Sequence, residues 1–344
     1  MTVNQIAAGT TVCAGVAVLA YFGMQIYQKK KRDIMPWKWE EIGTLGQMFF
    51  YPLKSGHRIE LERADCTVFG LRQTDGDQKI LRLMDRCLVV YSDKDYEFRT
   101  ARTYPQLLSI DVAVHDEKHV AVDAPTMRTL YVKIPNSETS EEFKVKLHKG
   151  EQVHAMDCGD EAALWFSRYI LEKDSGLRLA YHDANPKHRR DVSSVKNTLL
   201  DYYKNYTKFS TGLYSDQVSL NVINQASVKD LQQRISTNSI TVNNFRPNLV
   251  IDGPGLKPYD EDDWEWVKIG DVVLRTVKDC TRCMMTTIDP TTTSRNLNRE
   301  PLKTLESYRI SNGPDPLPVM GLQMEVRRIG QLNVGEKVFV ARKQ

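Results

Sequence analysis

Two cysteines three residues apart are the first candidates for chemistry in this chain. Cys280 and Cys283 lie in the segment KDCTRCMMTTIDP, with Arg282 between them. An apolar run from Val272 to Val277 leads into the pair and predicts a strand. A thiol at the end of a strand beside a cation is biased toward the thiolate. Such a thiolate is a nucleophile, a redox partner or a soft metal ligand.

The rest of the sequence narrows these alternatives. No second C-x-x-C and no histidine pair at zinc-finger spacing accompanies the cysteines, which argues against a complete structural zinc site. No strand–helix–strand pattern surrounds them, as a thioredoxin-like motif requires. A pair at this spacing also arises by chance. The sequence has no P-loop, no Rossmann glycine motif, no G-x-S-x-G elbow and no H-E-x-x-H helix.

Composition indicates an ordinary globular protein. The 344 residues favour two domains, and 41% hydrophobic with 26% charged residues can bury a sizeable core. The net charge of +3 is small and the lysines and arginines are scattered, so we expect no nucleic-acid surface. Six cysteines are few for this length, which favours a reducing compartment over a disulfide-stapled secreted protein.

The amino terminus has the pattern of a membrane anchor. Residues Ile6 to Tyr27 carry no charge and are long enough to span a bilayer, and the cationic run Lys29 to Arg32 follows at once. A secretory signal peptide has the opposite order of charge and apolar run. The sequence therefore predicts a single transmembrane signal anchor over residues 6–28, with everything after it in the cytosol. A buried core helix is the alternative, but the segment has no polar face.

The remaining chain predicts a strand-rich α+β fold. Many short apolar or alternating runs are separated by turn residues, as between Phe143 and Leu147. Helices are predicted over Asp160–Glu172, Ser227–Ile235 and Pro301–Arg309. The polar stretch Tyr181–Lys196 is rich in cations. It predicts a solvated connection between two domains, although its cations could also meet an anionic partner.

Several basic residues at predicted strand ends and turns add to the cysteine pair. Each alone is typical of a surface cation. Together with a thiolate at Cys283 they would suit a cofactor that carries both a phosphate and a soft metal, because arginine and lysine bind phosphate. These residues are Lys54, Arg86, Arg102, Arg246 and Arg282.

A series of short blocks carries a family resemblance. In the second half the blocks are NFRPN at 244–248, IGD at 269–271, CTRC at 280–283, TTIDP at 286–290 and EPL at 300–302. This half resembles a MOSC domain. The first half, with YPLKS at 51–55, GLR at 70–72, DR at 85–86 and TAR at 100–102, resembles the β-barrel domain that precedes it. With the anchor in front, the chain is similar to the amidoxime-reducing components of mitochondria. The resemblance implies a MOSC amino-terminal β-barrel domain at 44–176 and a MOSC β-barrel domain at 190–344.

The family binds a molybdenum cofactor (Mo-molybdopterin), and the resemblance assigns residues to it. Its cysteine ligand to the metal matches Cys283 rather than Cys280. Asp216 matches a segment that lines the cofactor and would serve as a proton source or an orienting group, with a surface acid as the alternative. Gln217 and Val218 replace small hydroxyl residues of the family, and Gln323 also differs in type from the family's residue. The implied cofactor contacts are Lys54, Ser55, Arg86, Gln217, Val218, Arg246, Thr281, Arg282, Cys283 and Gln323.

The resemblance also implies an activity. Members reduce N-hydroxylated compounds such as amidoximes and hydroxylamines on the mitochondrial outer membrane, with electrons from cytochrome b5 and NADH-cytochrome b5 reductase. The acidic stretch Asp260–Asp263 and the basic stretch Lys187–Arg190 are both candidate docking surfaces for the donor. Two other functions stay open from the sequence: a sulfur carrier with a persulfide on Cys283, and a membrane-anchored adaptor without enzyme activity.

Overall fold

The computed structural model describes residues 33–343, with gaps at 75–80, 139, 193–204, 208, 236–239 and 313–315. Over these ranges no helix combines the length and the apolar character that a membrane crossing requires. The anchor predicted over residues 6–28 lies outside the described residues. Residues Glu40–Gln344 cluster as one compact unit. The domain boundaries at 176 and 190 stay predictions.

Strands dominate the described part of the chain, as the many short apolar and alternating runs in the sequence predict. The helices there are α1 (Asp160–Leu171), α2 (Gln225–Ile235) and α3 (Leu302–Glu306). The strands of the first half are β1 (Glu40–Phe50), β2 (Ile59–Glu60), β3 (Arg63–Thr67), β4 (Gly70–Gln73), β5 (Leu88–Ser92), β6 (Asp111–Val114), β7 (His119–Asp123), β8 (Leu130–Lys133), β9 (Glu142–Lys146), β10 (Gln152–Asp157) and β11 (Leu177–Tyr181). Those of the second half are β12 (Leu220–Asn224), β13 (Leu249–Asp252), β14 (Trp264–Ile269), β15 (Val272–Thr281), β16 (Val319–Arg328), β17 (Gly330–Asn333) and β18 (Lys337–Arg342).

Seven strands close a barrel in the order β13-β12-β16-β15-β14-β18-β1, and β1 pairs back with β13. On β1, Thr44 lies opposite Asp252 of β13 and also opposite Lys337 of β18. The pairings are antiparallel apart from β12 with β13. The predicted strand-rich α+β class is therefore confirmed, and the barrel of the second half is closed by β1, the first strand among the described residues.

Three smaller sheets complete the described fold. Their orders are β5-β11-β10-β9, β17-β3-β4 and β6-β7-β8. Strand β5 is buried along its whole length, which fits the continuous run Leu88–Tyr91 that makes up most of it. Helix α1 buries Phe166 and Ile170 in the same core as Leu177 and Leu179 of β11. This packing holds β10 and β11 in place, and both strands lead into the site described below.

The helices differ from the sequence prediction mainly at their ends. Helix α1 ends one residue early, because Glu172 adopts a left-handed conformation with φ 55°. Helix α2 begins two residues early, and Ser227 does not cap it. Helix α3 stops well before Arg309, which was predicted as its end. Arg309 N still donates to Leu305 O, but the Arg309 carbonyl accepts a hydrogen bond from Val319 N and its guanidinium binds Asp262.

Candidate cofactor site

One cavity of ≈ 380 Å³ collects the residues that the sequence singled out. It is formed by the start of strand β12, the end of β15, the middle of β16 and loops from both halves of the chain. A polar cavity of this size suits a small-molecule cofactor. All eleven predicted site residues line it: Lys54, Ser55, Arg86, Asp216, Gln217, Val218, Arg246, Thr281, Arg282, Cys283 and Gln323.

The two cysteines of the pair differ in exposure. Strand β15 extends beyond the predicted Val277 and includes Cys280, whose side chain is 5% exposed and accepts a hydrogen bond from Gln323 Nε2 at 3.0 Å. Cys283 lies beyond the strand and is exposed. Its carbonyl accepts hydrogen bonds from the backbone and hydroxyl of Thr286, each at 3.0 Å, which starts a tight turn. Both cysteines therefore line the cavity, but Cys283 is the exposed one of the two, whereas the sulfur of Cys280 already accepts a hydrogen bond from Gln323.

Arg282, between the two cysteines, is bound by the protein itself. Its guanidinium donates to Phe245 O at 2.8 Å, to Met320 O at 2.9 Å and to Asn221 Oδ1 at 3.2 Å. Its backbone N–H donates to Pro318 O at 2.7 Å. These bonds join strand β15 to β16 and to the loop that precedes Arg246. The side chain thus holds the wall of the cavity together, a role that its sequence position did not reveal.

Tyr51 lies between two guanidinium groups. The Arg246 guanidinium carbon is 4.1 Å from the centre of the Tyr51 ring and that of Arg86 is 4.7 Å from it. Arg86 pairs with the buried Asp85 and reaches Asn248 Oδ1 at 3.4 Å. Arg246 has a buried Nη2 without a hydrogen-bond partner among the described residues. Burial lowers the pKa of Arg246 to about 10. This unsatisfied donor is open to an anionic ligand.

Three of the lining residues have left-handed backbones although none is glycine. Their φ angles are 67° at Ser55, 53° at Arg86 and 50° at Arg246. Each such residue costs about 1–3 kcal/mol, and such residues persist where the surrounding structure determines the backbone. They belong to three separate loops that meet at the cavity. Their coincidence there is typical of a functional site.

Lys54 and Asp216, which both line the cavity, form an ion pair. Lys54 Nζ lies 2.5 Å from Asp216 Oδ1 and donates to Tyr214 O at 2.7 Å. Burial lowers the pKa of Lys54. Partial desolvation in the cavity raises the pKa of Asp216, whose side chain is still 60% exposed, but the Lys54 ammonium and the adjacent His148 outweigh it and bring that pKa below its usual range. A carboxylate held ionised in this way favours the orienting role of Asp216 over the role of proton source.

The loop that carries Asp216 is held by a buried ion pair that the sequence did not predict. Arg190 donates to Leu213 O at 3.2 Å and to Ser215 O at 2.6 Å, and its guanidinium pairs with Glu151. The stretch from Tyr181 to Lys196 was predicted to be a solvated linker, and Lys187–Arg190 a docking surface. For Arg190 both predictions are wrong, because its side chain is only 3% exposed. Glu151, its partner, is 39 residues away, so no local pattern indicates the pair.

Of the three positions that depart from the family pattern, Gln217 and Val218 are held by neighbours of their own. Gln217 Oε1 accepts a hydrogen bond from Tyr206 at 2.6 Å. Val218 is 2% exposed and packs with Val192, Tyr206 and Val277 in a small apolar cluster. Neither side chain replaces the hydroxyl groups that the resemblance places there.

Another residue absent from the predicted set, Asn248 in the NFRPN block, donates to Phe49 O and accepts from Asn221 N, and so joins β1 to the loop of Arg246.

Comparisons with known proteins match both halves of the chain to known domains. The MOSC N-terminal β-barrel domain matches residues 42–173, and the MOSC domain matches residues 210–339. The chain is 32% identical to mitochondrial amidoxime-reducing component 1 of Mus musculus, over 88% of this chain and 83% of the relative. It is also 32% identical to mitochondrial amidoxime reducing component 2 of Bos taurus, over 87% and 84%, and 31% identical to component 2 of Homo sapiens, over the same shares. This chain therefore belongs to the mitochondrial amidoxime-reducing component family of MOSC-domain proteins.

Proposed function

We propose that the chain is a molybdenum-cofactor-dependent reductase of N-hydroxylated compounds. One observation carries the proposal. The cavity that exposes the Cys283 thiol also contains an unpartnered buried donor on Arg246 and the cations of Lys54 and Arg86. A soft thiolate suits a metal already bound to sulfur, and arginine and lysine suit a phosphate. The donor set therefore fits a pterin dithiolene that carries a phosphate.

Each residue has a distinct task in this proposal. Cys283 would be the protein ligand of the metal, while Arg246 and Arg86 would hold the anionic end of the pterin, with Ser55 and Thr281 beside them. Arg282 and Gln323 would act on the site indirectly, because the first binds backbone carbonyls and the second binds Cys280. Asp216 would keep Lys54 charged and fixed in the cavity.

When bound, the cofactor supplies two electrons, which with two protons convert an N-hydroxylated substrate into the amine or amidine and water. The protein contributes placement and electrostatic field. The names of the relatives support amidoximes as substrates and a mitochondrial location. Cytochrome b5 and its NADH-dependent reductase as electron donors, and the outer membrane as the site, belong to the same proposal. So does the anchor over residues 6–28, which rests on the uncharged run Ile6–Tyr27 and the cations after it.

The test makes the same substitution, cysteine to serine, at two positions of the full chain that lie three residues apart. We expect Cys283→Ser to lose bound molybdenum and benzamidoxime reduction with a reconstituted electron supply. Cys280→Ser should retain both, because Cys280 is only 5% exposed and its sulfur already accepts a hydrogen bond from Gln323. Full metal content in Cys283→Ser, or complete loss in Cys280→Ser alone, would refute the assignment of the ligand. Wild-type protein that holds no molybdenum but accepts labelled sulfur would identify a sulfur carrier instead.

A further inference from the structure

A second cluster of ligating side chains lies outside the cofactor cavity. Glu142 is the first residue of β9, His154 lies within β10, and His188 ends the short turn Pro186–His188. One ligand atom from each of the three lies within 4.8 Å of the other two. On the paired strands Glu142 lies opposite Met156, so His154, two residues earlier, is on the same face of the sheet. The cluster thus joins a sheet to the turn that leads to Arg190.

The distances suit a four-coordinate metal. Glu142 Oε2 is 3.6 Å from His188 Nε2 and 3.9 Å from His154 Nδ1. In a tetrahedral zinc site with bonds near 2.1 Å, neighbouring ligand atoms are about 3.4 Å apart. The two distances from Glu142 therefore exceed this spacing by about 0.2 and 0.5 Å, and the ligand atoms of the two histidines lie within 4.8 Å of each other. The Glu142 side chain is 44% exposed, which leaves a path for the ion and a fourth position for water.

A further carboxylate lies behind one of the imidazoles. His188 Nδ1 is 3.2 Å from Asp183 Oδ1, while its Nε2 is the nitrogen that faces Glu142. Histidines that bind metals usually donate their second N–H to a carboxylate in this way, which fixes the tautomer and the ring. The Asp183–His188 contact thus presents the lone pair of Nε2 to the cluster. This relationship distinguishes the cluster from an ordinary surface group of polar residues.

The second imidazole lacks one restraint on the movement that binding requires. His154 and His188 are stacked, with ring centres 3.6 Å apart and planes at 20°. Two ligands of one metal cannot stay parallel at this distance, so one ring must tilt. His154 is 10% exposed, and its Nε2 is buried without a hydrogen-bond partner among the described residues. No hydrogen bond at that atom opposes the tilt.

We propose that Glu142, His154 and His188 form a second metal site, for a divalent transition ion of the zinc class, separate from the cofactor cavity. Two imidazoles and one carboxylate are ligands that zinc accepts, with water in the fourth position. The ion would fasten the 186–188 turn to β9 and β10. Glu151 lies just before β10 and Arg190 lies just after the turn. The ion would therefore stabilise the Glu151–Arg190 ion pair, which holds the loop that carries Asp216.

Cobalt is the probe, because Co²⁺ replaces Zn²⁺ and has visible absorption bands when tetrahedral. We expect the chelator-treated full chain to bind one Co²⁺ in competition with Zn²⁺, and zinc to raise its Tm. Glu142→Gln and His188→Asn should each weaken Co²⁺ binding at least about tenfold, and Asp183→Asn by about 10–100-fold. His119→Gln is the control, since His119 also contacts a carboxylate, Asp116, at 2.9 Å.

A variant without the exposed thiol separates this site from the cofactor site. Cys283→Ser should retain the Co²⁺ bands and the zinc-dependent rise in Tm, whatever its molybdenum content. Wild-type protein without the bands, or loss of the bands in Cys283→Ser, would overturn the proposal. Unchanged affinity in both Glu142→Gln and His188→Asn would overturn it as well.

Discussion

Arg190 and Glu151 form a buried ion pair, with Arg190 Nη2 2.6 Å from Glu151 Oε2 and side chains 3% and 5% exposed. The same guanidinium donates to Leu213 O and Ser215 O. The pair therefore connects the end of one sheet to the loop that carries Asp216. The shape of the cofactor cavity depends on two residues that do not react in it.

Glu151→Gln should lower the free energy of unfolding by about 3–5 kcal/mol, because it leaves the Arg190 cation buried without an opposite charge. Urea unfolding of the cofactor-free chain measures this change. The control is Asp174→Asn, since Asp174 pairs with Arg168 at the surface, where ion pairs contribute about 0–1 kcal/mol. A loss below about 1 kcal/mol in Glu151→Gln would mean that the pair is not buried as described.

Arg282→Lys should destabilise the chain by about 2–3 kcal/mol although it keeps the charge. Lysine cannot reproduce the planar fork that reaches Phe245 O, Met320 O and Asn221 Oδ1, and buried acceptors are left without donors. Molybdenum content should fall with stability, because the wall of the cavity loosens. Arg299→Lys, at the exposed pair with Glu306, is the matched control. Equal urea midpoints for the two variants would contradict the structural role of Arg282.

Arg246→Met should have opposite effects on stability and on binding. In the cofactor-free chain it removes a cation with an unsatisfied buried nitrogen, so we expect the free energy of unfolding to rise by about 1 kcal/mol. Molybdenum retention should fall at least about tenfold, because an anion-binding group is lost. Chemical unfolding and metal analysis of the same preparation test both, with the exposed Arg128→Met as control. A variant that is destabilised and still fully loaded would exclude this role.

Stability should fall between about pH 4 and pH 7 in part because of Glu261. Burial raises its pKa to about 7, against the effect of the hydrogen bonds from Ser227 and Asn224. In this window the folded state keeps a proton that the unfolded state releases, so unfolding becomes easier as the pH rises and the effect levels off above pH 7.

Glu261→Gln imitates the protonated side chain and isolates this effect. The variant should be more stable than the wild type by roughly 3 kcal/mol at pH 8 and by only about 1 kcal/mol at pH 5. Urea unfolding at the two pH values measures the difference, and the exposed Glu62→Gln serves as control. A stability gain of the same size at both pH values would show that the gain does not come from titration of Glu261.

Local patterns in the sequence predicted the strand-rich class, helix α1 and the Cys280–Cys283 pair at the end of a strand. They could do so because apolar periodicity and spacing are properties of neighbouring residues. The family blocks went further and identified eleven residues that line one cavity. Their individual roles in binding stay predictions that the variants above test.

The tertiary structure decided the rest, because it depends on partners far apart in the chain. Strand β1 closes a barrel built from the last third of the sequence. Lys54 meets Asp216, 162 residues away, and Arg190 meets Glu151. The sequence by itself determined which side chains this protein has for binding a soft metal and an anion. Only the folded chain decided which of the two thiols is exposed. It also decided that the Arg282 guanidinium binds protein oxygens while Arg246 Nη2 has no hydrogen-bond partner among the described residues. Both outcomes depend on packing across the sheets, which sets burial and hydrogen bonding.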